Sequence, residues 1–264
     1  MSLLTTISLT CRFAGLVAVD AVDIAVAPGT IHAVIGPNGA GKTTLFNLLS
    51  GLVTPTSGKI IFDGNDITHQ PVHARAGLGI ARSFQNIRIF GAMTVLENVL
   101  TGLHATFTIG LPSIVARLPG FLREEKKAMD RALTALDLVG LSGVSEKLAG
   151  ALPYGDQRRL EIARAMAALP RLLLLDEPAA GMNPAETFHL AGLVRRIRDA
   201  GTTVLLVEHD MGFVMEISDA VTVLNFGRRI FAGAPAAIRN EPVVIEAYLG
   251  QKMAAKLAAR HAAG

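Results

Sequence analysis

With one cysteine, Cys11, in 264 residues, the chain can close no internal disulfide and build no cysteine-based zinc cluster. Long apolar runs are missing too: no segment approaches the roughly 18 consecutive apolar residues that a membrane-spanning helix needs. Charge of one sign is scarce. Twenty-five Lys and Arg stand against 22 Asp and Glu, and the net +3 falls short of the clustered basic charge that would argue for nucleic acid. The opening MSLLTTISLTCRF lacks the basic start and long apolar stretch of a signal peptide. These absences predict a protein of a reducing compartment, working in the cytosol or on the cytosolic side of a membrane. What is abundant is apolar surface: half the residues are apolar and 18% charged, which excludes wholesale disorder and allows a sizeable core.

Short β-rich runs dominate the start, at 16–26, 30–36 and 59–64, with turn signals at Pro28-Gly29 and Asp63-Gly64. From about 86 to 150 strand character is absent. This stretch contains REEKKAMDRALTALDLVG, in which Met129, Leu133 and Leu136 recur at helical spacing, and Pro112 and Pro119 divide it into short helices. After 157, helical and strand patterns alternate, which predicts a mostly parallel sheet. The expected fold class is α/β: a core with a mostly parallel sheet over residues 1–250, with an antiparallel β N-terminal part, an inserted helical subdomain at about 86–150, and an Ala-rich tail at 251–264. AGLGIARS (76–83) has two glycines at dinucleotide-loop spacing but no framework around it, and reads as a turn. RRIRDA (195–200) reads as a solvated helix face, and the seven histidines indicate no protein-held zinc site.

Positions 36–44, GPNGAGKTT, follow one strand pattern and precede a helical one. Gly36, Gly41, Lys42 and Thr43 satisfy G-x-x-x-x-G-K-[ST] in that context. Glycines let the backbone curl until several N–H groups face one anion, and the following helix adds its positive end. Lys42 is expected to reach the β- and γ-phosphates, and Thr43 to offer a hydroxyl to Mg²⁺. The α/β core is then expected to be that of a phosphate-loop (P-loop) NTPase, and the cradle alone leaves kinase, GTPase and ATPase open. Further on, RLLLLDEP ends a short apolar strand in Asp176-Glu177-Pro178. There Asp176 fits the metal carboxylate, and Glu177, one step on, fits the base for a water attacking the γ-phosphate.

Residues 152–166, LPYGDQRRLEIARAM, resemble the signature segment of ABC-transporter ATPases, usually LSGGQ, with its helix. Leu152 falls on the leucine and Gly155 on the second glycine. Phe13 looks like the adenine-stacking aromatic, Gln85 like the Q-loop glutamine, His209 like the H-loop histidine, and AAGMN (179–183) like the D-loop. The resemblance spans roughly residues 3–250. It implies an ATPase that binds ATP and Mg²⁺ and pairs head to tail with a second cassette. Phe13 and the loop residues Gly36, Pro37, Asn38, Gly39, Ala40, Gly41, Lys42, Thr43 and Thr44 would hold one nucleotide. Tyr154, Gly155 and Asp156 would meet the partner cassette's. Gln85, His209 and Lys42 join Glu177 in catalysis, and Gln85 joins Thr43 and Asp176 at the metal. Pro153, Tyr154 and Asp156 depart from the signature, and the proline removes a hydroxyl that normally meets the γ-phosphate.

Those departures, with RSFQNIRIFGAMTVLENVL (82–100), resemble cassettes that serve bacterial importers of branched-chain and other hydrophobic amino acids, with amide and urea relatives and a lipopolysaccharide-exporting neighbour. The implied partners are two permease subunits and a substrate-binding protein, with no nucleic acid, and the implied location is the cytoplasmic side of the inner membrane. Ile87, Ile89, Phe90 and Met93, with Phe107 and Phe121, are candidates to line a groove for a permease helix, or alternatively to pack the small lobe. A soluble ABC ATPase acting on DNA or the ribosome is the competing class. The single GKT loop, the single DEP motif and the lack of sustained heptads weigh against it. A purely regulatory nucleotide binder would need no base at Glu177.

Overall fold

The computed structural model describes residues 2–83, 87–103, 119–238 and 241–249. In chain order, strands β1 (Leu4–Phe13), β2 (Leu16–Val26) and β3 (Ile31–Ile35) lead into helix α1 (Lys42–Ser50). Next come β4 (Ser57–Phe62), β5 (Asn65–Asp66), α2 (Val72–Gly77), β6 (Ile80–Arg82), α3 (Val95–Thr101) and α4 (Pro119–Val139). Then follow α5 (Tyr154–Met166), β7 (Leu172–Asp176), α6 (Pro184–Asp199), β8 (Thr203–Val207) and α7 (Met211–Ile217). The last elements are β9 (Ala220–Asn225), β10 (Arg228–Gly233), α8 (Pro235–Ile238) and α9 (Pro242–Leu249). They form two compact units, one of the residues up to Pro71 with those from Thr203 on, the other Val72–Thr202.

The first unit holds two sheets. One is antiparallel, in the order β2-β1-β4-β5, with Leu4 opposite Val26 and Phe62. In the other, β3 lies between β8 and β9, parallel to both, and β10 runs antiparallel along β9. IHAVI and TVLLV are buried at every position. A parallel strand covered on both faces has this unbroken apolar character. Three strands of this unit went unanticipated. In β1, register shifts and a left-handed Ser8 (φ 47°) break the period-two pattern, β5 is two residues long, and β10 is an edge strand beginning with two arginines.

In the second unit β6 pairs in parallel with β7. AGLGIARS is therefore more than a turn: it holds the end of α2 and all of β6. Helices α3, α4 and α5 pack together. Pro119 opens α4, where its missing N–H costs nothing. The stripe that α4 buries is Ala128, Ala132, Ala135, Leu136 and Val139, while Leu133 is exposed. Small alanines let the neighbouring helices come close, so spacing by large apolar residues alone misplaced the inner face. Capping boxes start α3 (Thr94 with Glu97) and α6 (Asn183 with Glu186). Among the described residues no helix is long and apolar enough to cross a membrane.

Among the polar residues buried in the first unit, one histidine carries a pH dependence. His32, in the middle strand β3, is buried with its Nε2 2.9 Å from the Thr222 hydroxyl oxygen, and burial pushes its pKa down to about 4. The unfolded chain binds a proton near the ordinary 6.5 while the folded chain stays neutral, so His32 costs stability as pH falls from 6.5 toward 4. Urea unfolding at pH 7 and pH 5 should show the parental protein losing about 2 kcal/mol more than His32→Gln, which keeps a hydrogen-bonding group but does not titrate.

Candidate functional site

The loop between β3 and α1 is shaped by what surrounds it. Gly36 has φ 151° and Gly41 φ 98°. A Cβ at Gly36 would lie 2.1 Å from the Leu224 carbonyl oxygen, and one at Gly41 would lie 2.3 Å from that of Ala18. Backbone from β9 and β2 therefore presses on the two ends of the loop, and only glycine fits. Gly227, in the β9–β10 turn, donates its N–H to the Ala40 carbonyl at 3.1 Å. The Lys42 ammonium is buried and donates to the Gly36 and Pro37 carbonyls at 2.6 and 3.0 Å, which draws the loop into a ring. Pro37 closes a turn with Ala40, while Asn38, Gly39 and Thr43 are exposed and Thr44 half-buried. Helix α1 begins at Lys42 without a side-chain cap, so its first N–H groups remain available to an anion. Phe13 ends β1 opposite Leu16 and is 47% exposed, at the tip of the hairpin whose second strand supplies Ala18. An exposed ring there can take a planar base on its face.

The same unit holds His209, just after β8 and mostly exposed. Glu208 beside it is fully buried and accepts the His209 and Asp210 N–H groups at 3.0 and 3.4 Å, with its Oε2 3.7 Å from His209 Nδ1. That carboxylate fixes the backbone at the point where the His209 side chain departs. Sequence reasoning passed over Glu208, although an acid directly before a histidine at a strand's carboxyl end is a readable sign.

In the second unit, Asp176 ends β7 and is buried. Arg82 of β6 holds its Oδ2 at 2.8 Å, an ion pair absent from the sequence reading. Oδ1 is buried and without a hydrogen-bond partner. A carboxylate oxygen left bare costs desolvation that a cation would return. A single available carboxylate oxygen suits Mg²⁺, which is ordinarily held by one or two carboxylates plus phosphate oxygens. Glu177 follows in a left-handed conformation (φ 46°), strained for a residue with a side chain, and its carbonyl accepts the Ala180 N–H at 3.2 Å. Gln85 lies outside the described residues, as do Phe107 and Pro112.

Pro153 occupies the N-cap of α5 with φ −55°, so the proline suits the backbone but gives no capping oxygen. Tyr154 donates its hydroxyl to the Ala180 carbonyl at 3.1 Å, and its ring lies beside Gly181. Arg158, buried and paired with Glu161 at 3.2 Å, has its guanidinium 5.9 Å from the Tyr154 ring. A Cβ at Gly155 would lie 2.9 Å from Glu186 Oε1, and the Asn183 capping box already fixes that carboxylate. Asp156 pairs with Arg159 along the helix. Tyr154 and Gly155 thus tie the start of α5 to residues 180–186. Phe90 and Met93 are exposed, while Ile87 and Ile89 are half-buried.

The sequence profile described as ABC transporter matches residues 19–180, and one described as branched-chain amino acid ATP-binding cassette transporter matches residues 228–253. The chain is 47% identical over 244 residues to the high-affinity branched-chain amino acid transport ATP-binding protein BraF of Pseudomonas aeruginosa, covering 92% of this chain and 96% of the relative. To LivG of Escherichia coli, of the same description, it is 47% identical over 250 residues, covering 94% and 98%. It is 33% identical over 255 residues to the lipopolysaccharide export system ATP-binding protein LptB of Haemophilus influenzae, covering 96% and 99%. Its fold is similar to a nucleotide-free ATP-binding cassette from an ABC transporter, with a TM-score of 0.84 and 30% identity, covering 95% of this chain and all of that one.

Alanine at Gly41 would impose about 1–2 kcal/mol of backbone strain as well as the collision with Ala18. Gly41→Ala should weaken ADP binding at least about tenfold in calorimetry. Unchanged affinity would show that the tight loop is not the phosphate site.

Proposed function

This chain belongs to the ABC transporter family, and from that premise we propose that it is the ATP-hydrolysing subunit of an importer for branched-chain or related hydrophobic amino acids. The observation that carries the cargo reading is the 47% identity to BraF and LivG over almost the whole chain, joined by the match of residues 228–253 to the branched-chain profile. Lipopolysaccharide export is the second reading, supported by the 33% identity to LptB.

In the proposed cycle, the loop amides and Lys42 take the β- and γ-phosphates of ATP, and Phe13 stacks on the adenine. Lys42 gives up its Gly36 and Pro37 carbonyls for phosphate oxygens, exchanging neutral acceptors for charged ones. The Thr43 hydroxyl and Asp176 Oδ1 would hold Mg²⁺, with Gln85 as a further ligand. The metal, when bound, neutralises charge that develops on the phosphates. Glu177 orients the attacking water and takes its proton. His209, held by Glu208, donates a hydrogen bond to the γ-phosphate. The left-handed backbone at Glu177 sets its carboxylate apart from that of the neighbouring Asp176, so that one acid can face the metal and the other the water.

The start of α5, with Tyr154, Gly155 and Asp156, meets the nucleotide of a second cassette, and hydrolysis releases that contact. The helical segments of about 86–150 form the inserted lobe that receives a permease helix, with Phe90 and Met93 offering exposed apolar surface. Two permeases and a substrate-binding protein complete the system, which places the cassette on the cytoplasmic face of the bacterial inner membrane.

Glu177→Gln removes the base and keeps the side chain's shape. It should bind ATP as the parental protein does, lose at least about 100-fold in turnover, and accumulate as a dimer in MgATP on size exclusion. Parental turnover by this variant would overturn the assignment of the base.

A further inference from the structure

Two turns fill the stretch between strand β7 and helix α6. The Ala180 N–H donates to the Glu177 carbonyl at 3.2 Å, and the Met182 N–H donates to the Ala179 carbonyl at 3.1 Å. Glu177 (φ 46°) and Gly181 (φ 77°) are both left-handed, and of the two only Glu177 carries a side chain. Such a residue keeps that backbone only where its surroundings fix it. Tyr154, the first residue of α5, reaches this stretch from another element: its hydroxyl donates to the Ala180 carbonyl at 3.1 Å, and its ring lies beside Gly181. We propose that Tyr154 is a positioning residue for Glu177: its hydroxyl anchors the Glu177–Ala180 turn and so holds the left-handed backbone that carries the Glu177 carboxylate.

Three observations carry this. The two hydrogen bonds run in series through one residue: Ala180 accepts from Tyr154 at its carbonyl and donates to Glu177 from its N–H, so a shift of Ala180 is passed to the Glu177 peptide. Tyr154 is itself held. Arg158, one helical turn on, is buried and pairs with Glu161 at 3.2 Å; its Nη2 donates to the Tyr154 hydroxyl oxygen at 3.4 Å, and its guanidinium lies 5.9 Å from the ring centroid. A cationic donor on the phenol oxygen leaves the hydroxyl hydrogen to the Ala180 carbonyl and strengthens that bond. The far end of the stretch is fixed as well, since the Asn183 capping box holds Glu186 against Gly155. With the hydroxyl engaged inside its own chain, the backbone at the start of α5, and not the phenol, is what a second cassette's nucleotide would meet.

The inference rests on the reading of Glu177 as the base, and Glu177→Gln separates the two. Full-length parental protein, Tyr154→Phe, Tyr154→Leu, Glu177→Gln and the double variant Tyr154→Phe/Glu177→Gln are compared in steady-state ATP turnover, in single-turnover hydrolysis and in thermal melting. Tyr154→Phe keeps the ring beside Gly181 and loses only the hydroxyl. Its kcat and single-turnover rate should fall about threefold to tenfold, the change expected for one hydrogen bond. The KM for ATP should stay within about twofold, with a parental melting temperature. Tyr154→Leu, which removes ring and hydroxyl together, should lose at least as much. In the Glu177→Gln background the Tyr154→Phe change should alter the residual single-turnover rate by less than about twofold, because two residues that act through one group are not additive. Parental kcat in Tyr154→Phe overturns the proposal. So does a loss of about threefold or more that persists in the Glu177→Gln background, or one matched by a fall in melting temperature, since either marks a role that does not pass through Glu177. If Glu177→Gln itself turns over ATP at the parental rate, the base is misassigned and both readings fall.

Discussion

The loop proposed to hold phosphate is backbone that has been forced to curl, and the forcing comes from neighbouring strands. The Leu224 and Ala18 carbonyls stand so close to Gly36 and Gly41 that neither position admits a Cβ. Between them the chain has to turn with its N–H groups inward, and Lys42 draws the ring shut through the Gly36 and Pro37 carbonyls. Backbone held this tightly by its neighbours has little conformational entropy left to lose on binding. Everything else attributed to the first unit depends on it. The parallel strands β3, β8 and β9 set the loop's starting point, the β9–β10 turn braces it at Ala40, and the β1–β2 hairpin carries both Ala18 and Phe13.

The second unit prepares the opposite charge. Asp176 is buried at the end of an apolar strand, where its polar oxygens need a partner. Arg82 supplies that partner on one oxygen and leaves the other bare. A buried carboxylate with one oxygen fixed and one available is oriented for a cation. Glu177 then leaves the strand direction through a left-handed residue, at a cost in strain that the Asp176–Pro178 turn sustains. At the start of α5, Tyr154 and Gly155 are tied to Ala180 and Glu186, so the segment resembling a signature and the loop after Glu177 are held by a hydrogen bond and a close contact.

The site's outline was legible because its chemistry is local in sequence. Gly36, Gly41 and Lys42 are spaced by the geometry of one loop, and Asp176-Glu177 follows one strand. The resemblance at 152–166 supplied the family, and the relatives agree with it. What escaped was whatever the fold brings from afar. No pattern around Arg82 announces Asp176, and nothing near Ala18 or Leu224 announces the phosphate loop. The strands were missed where their burial is irregular or where they lie at an edge: β1 is broken by Ser8, and β10 starts with arginines. Leu133 was placed inside because large apolar residues were counted, while alanines make the actual contact face of α4.

The account's central claim is that residues 36–44 are a preformed cradle which phosphate completes. Hydrogen–deuterium exchange of the full-length protein with and without MgADP tests this directly, since it reports on the amides themselves. The claim predicts that amides of 38–44 slow markedly on saturation, more than those of any other segment of the first unit. Saturating ADP that leaves those amides exchanging at their unliganded rates would contradict it.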